Sequence, residues 1–125
     1  MGIKKIHTDK APAAVGPYSQ AIAINGMVYT SGQIPLDPAS GQIVGDDVKA
    51  QAEQVMKNLI AVLEEAGTNM NNAVKTTCFL KDMDDFAAFN EVYAEYFTEK
   101  PARSCVAVKT LPKDVLCEVE VVAVI

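Results

Sequence analysis

The sequence predicts a protein of the α+β or α/β class, with one sheet of about six strands and two helices packed on one of its faces. Three observations carry this prediction. The spacing of apolar residues switches between the repeats of strands and helices in the order strands, helix, strand, helix, strand, strand. An Asn25-Gly26 pair separates two short apolar runs, which is the strongest short-range signal for a hairpin. The 125 residues, 50% of them hydrophobic, suit a single domain covering 1–125.

The first part of the chain is predicted to form strands and loops. Residues 3–7 read as a short strand or arm, and residues 11–17 read as a loop because they contain two prolines and a glycine. Residues 18–24 and 27–31 are the two strands of the predicted hairpin. The second strand ends in a Ser-Gly-Gln-Ile-Pro break, and the next few residues have the composition of a surface turn.

Two helices are predicted on either side of a strand at residues 73–80. The first covers about residues 47–66, where apolar residues form one stripe that stops at Gly67. The second covers about residues 83–97, with Asp82 placed to cap it. Asn90 falls in the middle of the apolar side of this second helix. That side consists of Phe86, Phe89, Tyr93 and Phe97.

The last two strands are predicted at residues 103–108 and 115–125, joined by a turn at 111–114. Both faces of the final strand are largely apolar. Since two helices can cover only one face of the sheet, the other face needs a partner. The sequence therefore predicts an obligate homo-oligomer in which apolar sheet faces meet.

Charge and composition exclude several function classes. Lys and Arg number 11 against 16 Asp and Glu, so the net charge is −5, and the sequence pI is near 4.7. This balance argues against nucleic acid or an anionic membrane as the main partner. No apolar segment has the length or flanks of a signal peptide or membrane span. Three cysteines without a CxxC pair read as reduced thiols, and we expect a cytoplasmic protein.

The familiar catalytic motifs are also missing from the sequence. There is no P-loop, GxGxxG or HExxH motif, and the chain has a single histidine, His7, near its N-terminus. A serine or cysteine nucleophile paired with histidine would have to use that residue, which makes covalent acyl chemistry improbable. The scattered cysteines lack the spacing of zinc ligands. We therefore expect no metal and no cofactor.

Several polar residues interrupt otherwise apolar elements. By strand alternation Arg103 and Cys105 share one face, and Glu118 and Glu120 share a face of the last strand. Each has an ordinary interpretation: the arginine can be solvated or salt-bridged, and the cysteine can be a small buried apolar residue. Together with Asn90 and the residues Tyr18 and Ser31 they offer a cation, carboxylates, an amide and hydroxyls. A binding site for a small anion needs this set of groups.

This set of groups limits the chemistry. An arginine can hold a carboxylate by two parallel hydrogen bonds. A glutamate can take a proton from water as a general base, which contributes typically about 10²–10⁴-fold. Without a nucleophile or metal, these groups suffice for an electrophile that is already reactive, such as a protonated imine. The residues alone do not decide between Glu118 and Glu120.

The sequence resembles the RidA/YjgF family of imine deaminases nearly from end to end. The segments that carry the resemblance are GPYSQ at 16–20, TSGQIP at 30–35, PARSCV at 101–106, LPKDV at 111–115 and EVE at 118–120. It implies a chorismate-mutase-like α+β fold and a homotrimer with clefts between subunits. It also implies hydrolysis of 2-aminoacrylate, 2-iminopropanoate and 2-iminobutanoate, which pyridoxal-phosphate dehydratases release, to 2-oxo acids and ammonia.

The resemblance also implies roles for individual residues. Arg103 matches the carboxylate clamp, Glu118 the residue beside the attacking water, and Cys105 a cleft residue that acts through its backbone. Further matched positions line the cleft, and they are Tyr18, Ser31, Gly32 and Asn90.

Two departures from the family pattern accompany these matches. Lys100 stands before the proline, where many members have a longer loop with an aromatic residue, and Cys117 replaces a branched apolar residue. The first departure puts the substrate preference in doubt. Two alternatives to an imine deaminase are a non-catalytic module that binds small carboxylates or 2-oxo acids and, less favoured by the charge balance, an endoribonuclease.

Overall fold

One mixed sheet of six strands forms the body of the protein, which a computed structural model describes for residues 2–125. The strand order is β1-β2-β3-β6-β4-β5, and every neighbouring pair is antiparallel except β4 and β5. The predicted α+β sheet with two helices on one face is confirmed. The elements are β1 (Lys4–Ile6), β2 (Ala21–Ile24), β3 (Met27–Thr30), α1 (Val48–Glu65), β4 (Ala73–Leu80), α2 (Phe86–Tyr96), β5 (Ala102–Ala107) and β6 (Cys117–Val124).

The predicted hairpin is present, but its first strand is shorter than expected. Asn25 and Gly26 have φ angles of +52° and +76°, as the tight turn between β2 and β3 requires. The predicted start of β2 at residue 18 is wrong. The buried side chain of Gln20 binds the backbone of Thr8 and Pro12, with Nε2 to oxygen distances of 3.0 and 2.8 Å. Residues 18–20 therefore belong to the preceding loop.

Both helices pack on the same face of the sheet and bury their apolar stripes there. Asp47 caps α1 by accepting a hydrogen bond from the N–H of Ala50 at 2.8 Å. Gly67, with a φ of +90°, follows the end of α1. The second helix is shorter than predicted, since Met83–Asp85 forms a 3₁₀ turn and α2 begins only at Phe86.

The last strand also starts later than predicted, at Cys117 instead of residue 115. A 3₁₀ turn occupies Pro112–Asp114 just before it. The N–H of Leu116 donates to Oε1 of the buried Gln51 side chain at 2.7 Å, outside the strand ladder. Because this N–H bonds to a helix side chain and not to a neighbouring strand, β6 begins at the next residue.

Buried polar side chains hold the segment 31–36 beside the start of β6. Nδ2 of Asn58 donates to the carbonyl oxygens of Ile34 and Leu36, both at 3.0 Å. The N–H of Gln33 donates to the carbonyl of Val119 at 2.8 Å, and the N–H of Val119 donates back at 3.2 Å. These contacts place residues 31 and 32 next to the first residues of β6.

The sheet face opposite the helices is uncovered and largely apolar, as the sequence predicts. Tyr29, Val106 and Val124 on this face are 43–47% exposed. Such a continuous apolar surface marks an interaction site more often than a solvated face. The homo-oligomer itself stays a prediction. Within residues 2–125, no helix has the length and hydropathy to span a bilayer.

Candidate active site

The predicted site residues lie in two groups on opposite faces of the sheet. The arginine half-site, on the helix face, consists of Asn90, Arg103 and Cys105. The glutamate half-site, around the open face, consists of Tyr18, Ser31, Gly32 and Glu118. A cavity of about 310 Å³ adjoins Asn90 and Arg103, and a cavity of about 550 Å³ adjoins the whole glutamate half-site.

Arg103 is held in a fixed position without a carboxylate partner. Its Nη1 donates to Oδ1 of Asn90 at 2.7 Å. The guanidinium carbon lies 4.6 Å from the ring centroid of Tyr93 and 5.5 Å from that of Phe86. Arg103, the single arginine of the sequence, takes part in none of the salt bridges found within residues 2–125. Its positive charge and most of its five N–H donors remain available for an anion.

The ring beneath the guanidinium is itself fixed by a hydrogen bond. The hydroxyl of Tyr93 and Oγ1 of Thr76 are 2.7 Å apart, and both groups are buried. Thr76 is the register partner of Arg103 on the adjacent strand. Sequence reasoning missed this support because it treated Tyr93 as packing alone. The signal was its position three residues after Asn90, on the same side of the helix.

Cys105 has the environment of a structural thiol with an accessible backbone. Burial raises the pKa of its thiol, and the nearby Arg103 lowers that pKa only in part. The N–H of Val108 donates to the carbonyl of Leu80, and alternate residues of β5 therefore bond to β4. The N–H and C=O of Cys105 point the other way, towards the free edge of the sheet. This geometry favours a role through the backbone over a nucleophilic thiolate.

Glu118 is a half-buried carboxylate without a cationic partner. Burial raises its pKa, and the charge of Glu120 raises it further. It takes part in no salt bridge within residues 2–125. A carboxylate with a raised pKa is a stronger base than an ordinary glutamate, so Glu118 suits proton transfer from water.

The position of Glu118 depends on the absence of a side chain at Gly32. A Cβ added to Gly32 would lie 2.1 Å from Oε2 and 2.8 Å from Cδ of Glu118. Ser31, the preceding residue, is anchored, since its hydroxyl donates to the carbonyl of Ser19 at 2.6 Å. Tyr18 lines the same cavity and is 52% exposed. The glutamate half-site is therefore built around contact between the Gly32 backbone and the Glu118 carboxylate.

The variant Gly32→Ala should lower kcat for any reaction that uses Glu118 as a base. The added methyl group must displace the carboxylate, and a displacement of about 1 Å can cost about 10²-fold in rate. We expect KM to change little. Steady-state kinetics would test this, with Gly2→Ala as the matched control, because a Cβ at Gly2 meets nothing within 4 Å. Full activity of Gly32→Ala would contradict the contact described above.

Arg103 and Glu118 of one chain are too far apart to hold one small substrate. Arg103 is aligned with Thr76, which is aligned with Val121, three residues from Glu118. Two strand spacings and three residue rises place the Cα atoms of Arg103 and Glu118 about 14 Å apart. Their side chains also leave opposite faces of the sheet. A single chain therefore does not bring the two half-sites together around one small substrate.

Known proteins match this chain over nearly its whole length. A family model described as Endoribonuclease L-PSP matches residues 8–125. A RutC family protein of Synechocystis is 59% identical over 128 residues, covering 100% of this chain and 98% of the relative. A 2-iminobutanoate/2-iminopropanoate deaminase of Salmonella typhimurium is 52% identical over 125 residues, covering 97% of each chain. The crystal structure of Escherichia coli TdcF with bound serine superposes with a TM-score of 0.93 at 45% identity, covering 98% of each chain.

Proposed function

This chain belongs to the RidA/YjgF family, and from that membership together with the two half-sites we propose that it hydrolyses 2-imino acids and their enamine tautomers. The proposed substrates are 2-aminoacrylate, 2-iminopropanoate and 2-iminobutanoate, which pyridoxal-phosphate dehydratases release. The products are 2-oxo acids and ammonia. Relatives that are 50–52% identical carry the name 2-iminobutanoate/2-iminopropanoate deaminase.

The observation that carries the proposal is the fixed and unpaired guanidinium of Arg103. In the proposed reaction it holds the substrate carboxylate by two parallel hydrogen bonds. Glu118 accepts a proton from water while the water oxygen bonds to the carbon of the protonated imine, which gives a neutral carbinolamine. The protonated Glu118 then returns this proton to the nitrogen. The C–N bond breaks, ammonia leaves with the electron pair of that bond, and the hydroxyl gives its proton to Glu118 as the C=O bond of the 2-oxo acid forms. One water is consumed for each ammonia released.

We further propose that the two half-sites meet between subunits of a homotrimer, with Arg103 from one subunit and Glu118 from its neighbour. The estimated separation of about 14 Å within one chain supports this arrangement. The uncovered apolar sheet face supplies a surface on which such subunits would pack. A cleft closed by a neighbour would also exclude bulk water from the imine, apart from the water that reacts.

The direct test adds the purified protein to a pyridoxal-phosphate dehydratase that forms 2-aminoacrylate from serine. We expect 2-oxo acid release to become faster in proportion to the added protein. Saturable binding of 2-oxo acids without faster release would favour a non-catalytic binding module instead. RNA cleavage that weakens steeply with salt would favour an endoribonuclease, the description of the family model, although the net charge of −5 opposes RNA binding.

The pH profile should report the titration of Glu118. Its base form is deprotonated, so activity is kept above its pKa and is lost as the pH falls through that pKa. Since burial and the charge of Glu120 raise this pKa, kcat/KM should begin to fall at a higher pH than it would for an ordinary glutamate. We call this fall at low pH the acid limb of the profile. The variant Glu120→Gln removes one of the causes and should move the acid limb to lower pH.

The control for this titration is Glu65→Gln, which removes an exposed charge at the end of α1. Profiles of kcat/KM against pH should coincide for Glu65→Gln and the wild type. An unchanged limb in Glu120→Gln would contradict the assignment of the limb to Glu118.

A further inference from the structure

The cavity beside Arg103 contains a second cation. Of the described residues that line it, Lys100 and Arg103 are the charged ones, and the remainder are aromatic, small or neutral polar residues. The chain as a whole is negatively charged, with 16 acidic residues against 11 basic ones. The lining of this cavity, with two cations and no carboxylate, has the opposite sign. Neither cation takes part in a salt bridge within residues 2–125.

The backbone fixes Lys100 at the rim of this cavity. The N–H of Lys100 donates to the carbonyl of Phe97 at 3.2 Å, which closes a tight turn after α2. Lys100 has a φ of +54°, a left-handed conformation that residues with a side chain seldom adopt. Pro101 follows and restricts the chain again. The turn thereby holds the Cα of Lys100 beside the cavity, three residues before Arg103.

We propose that the cavity selects 2-imino acids that carry a second carboxylate, with Arg103 binding the carboxylate beside the imine and Lys100 binding the distant one. This rests on the proposed function, because it places the reacting carbon relative to Arg103. The planar guanidinium suits the fixed carboxylate, and the ammonium on its flexible stem suits a carboxylate at the end of a chain. The cavity of about 310 Å³ falls within the range of small-molecule sites.

The test compares two imines that differ only at the far end. Amino acid oxidases generate 2-iminobutanoate from 2-aminobutanoate and 2-iminobutanedioate from aspartate, and the imines are hydrolysed in the presence of this protein. The wild type should have the higher kcat/KM for the dicarboxylate. Lys100→Gln should lower that value by about ten- to a hundredfold, the loss of one charge-assisted hydrogen bond, and change the monocarboxylate value less than about twofold.

The control is Lys57→Gln, which removes the same charge from an exposed position on α1. It should leave the ratio of the two kcat/KM values unchanged. Equal losses for both imines in Lys100→Gln, or no preference in the wild type, would overturn the dicarboxylate assignment while hydrolysis of 2-iminobutanoate continued. Such a result would leave the proposed function intact.

Calorimetric binding separates the two proposals further, since it needs no turnover. The wild type should bind 2-oxobutanedioate more tightly than 2-oxobutanoate, and Lys100→Gln should lose that preference. A preference in binding without hydrolysis of either imine would support the cavity assignment and refute the deaminase function. Absence of the preference in both binding and hydrolysis would refute the assignment.

Discussion

Arg103→Ala is expected to lower kcat/KM for a short 2-imino acid by about 10²- to 10⁴-fold. The variant removes two charge-assisted hydrogen bonds to the substrate carboxylate, each contributing about 1.5–3 kcal/mol. A tenfold change in kcat/KM corresponds to about 1.4 kcal/mol, so the loss of both hydrogen bonds gives the stated range. Arg103→Lys keeps the charge but loses the planar fork, so it should recover only part of the activity. Rates of imine hydrolysis measured over a range of substrate concentrations would establish both values.

Chemical modification gives an independent measurement, because Arg103 is the single arginine of the sequence. Phenylglyoxal, which modifies guanidinium groups, should inactivate the wild type, and a bound 2-oxo acid should protect it. Lys57→Ala is the matched control, since it removes an exposed cation from α1, away from the uncovered sheet face. Unchanged kcat/KM in Arg103→Ala, with the folded state intact by thermal unfolding, would exclude Arg103 as the carboxylate clamp.

Glu118→Gln is expected to lower kcat by about 10²- to 10⁴-fold, the usual contribution of a general base. Glutamine keeps the size and polarity of the side chain against Gly32 but cannot accept the proton from water. Because the substrate carboxylate binds elsewhere, KM should stay close to that of the wild type. The neighbouring variant Glu120→Gln is the matched comparison and should keep most of its activity near neutral pH. If Glu120→Gln were the inactive variant, the choice between the two glutamates would be wrong.

The sequence was enough to predict which segments form strands, helices and turns, but not enough to predict where several of these elements begin. Alternation, the Asn25-Gly26 turn and the helical stripe ending at Gly67 are encoded in neighbouring residues, and these predictions are confirmed. The starts of β2 and β6 depend on hydrogen bonds between distant segments. The Gln51 side chain that bonds to Leu116 lies 65 residues away from it, and no local pattern indicates such a contact.

The candidate site could be predicted as a set of residues but not as an arrangement. Strand alternation places Arg103 with Cys105 and, separately, Glu118 with Glu120. Which face of the sheet the helices cover is decided by packing, and so the separation into two half-sites emerges only in three dimensions. The ring of Tyr93 beneath Arg103 is likewise a tertiary contact between α2 and β5. The functional roles of these residues stay predictions until the variants are measured.

Mixed oligomers would show whether Arg103 of one subunit and Glu118 of its neighbour form one active site. Arg103→Ala and Glu118→Gln chains, each inactive alone, would be unfolded together in equal amounts and refolded. Random assembly pairs an intact Arg103 with an intact Glu118 at about one quarter of the interfaces, so about a quarter of wild-type activity should return. Refolding each variant separately should restore none. If the mixture stayed as inactive as its components, the two residues would not act across a subunit interface.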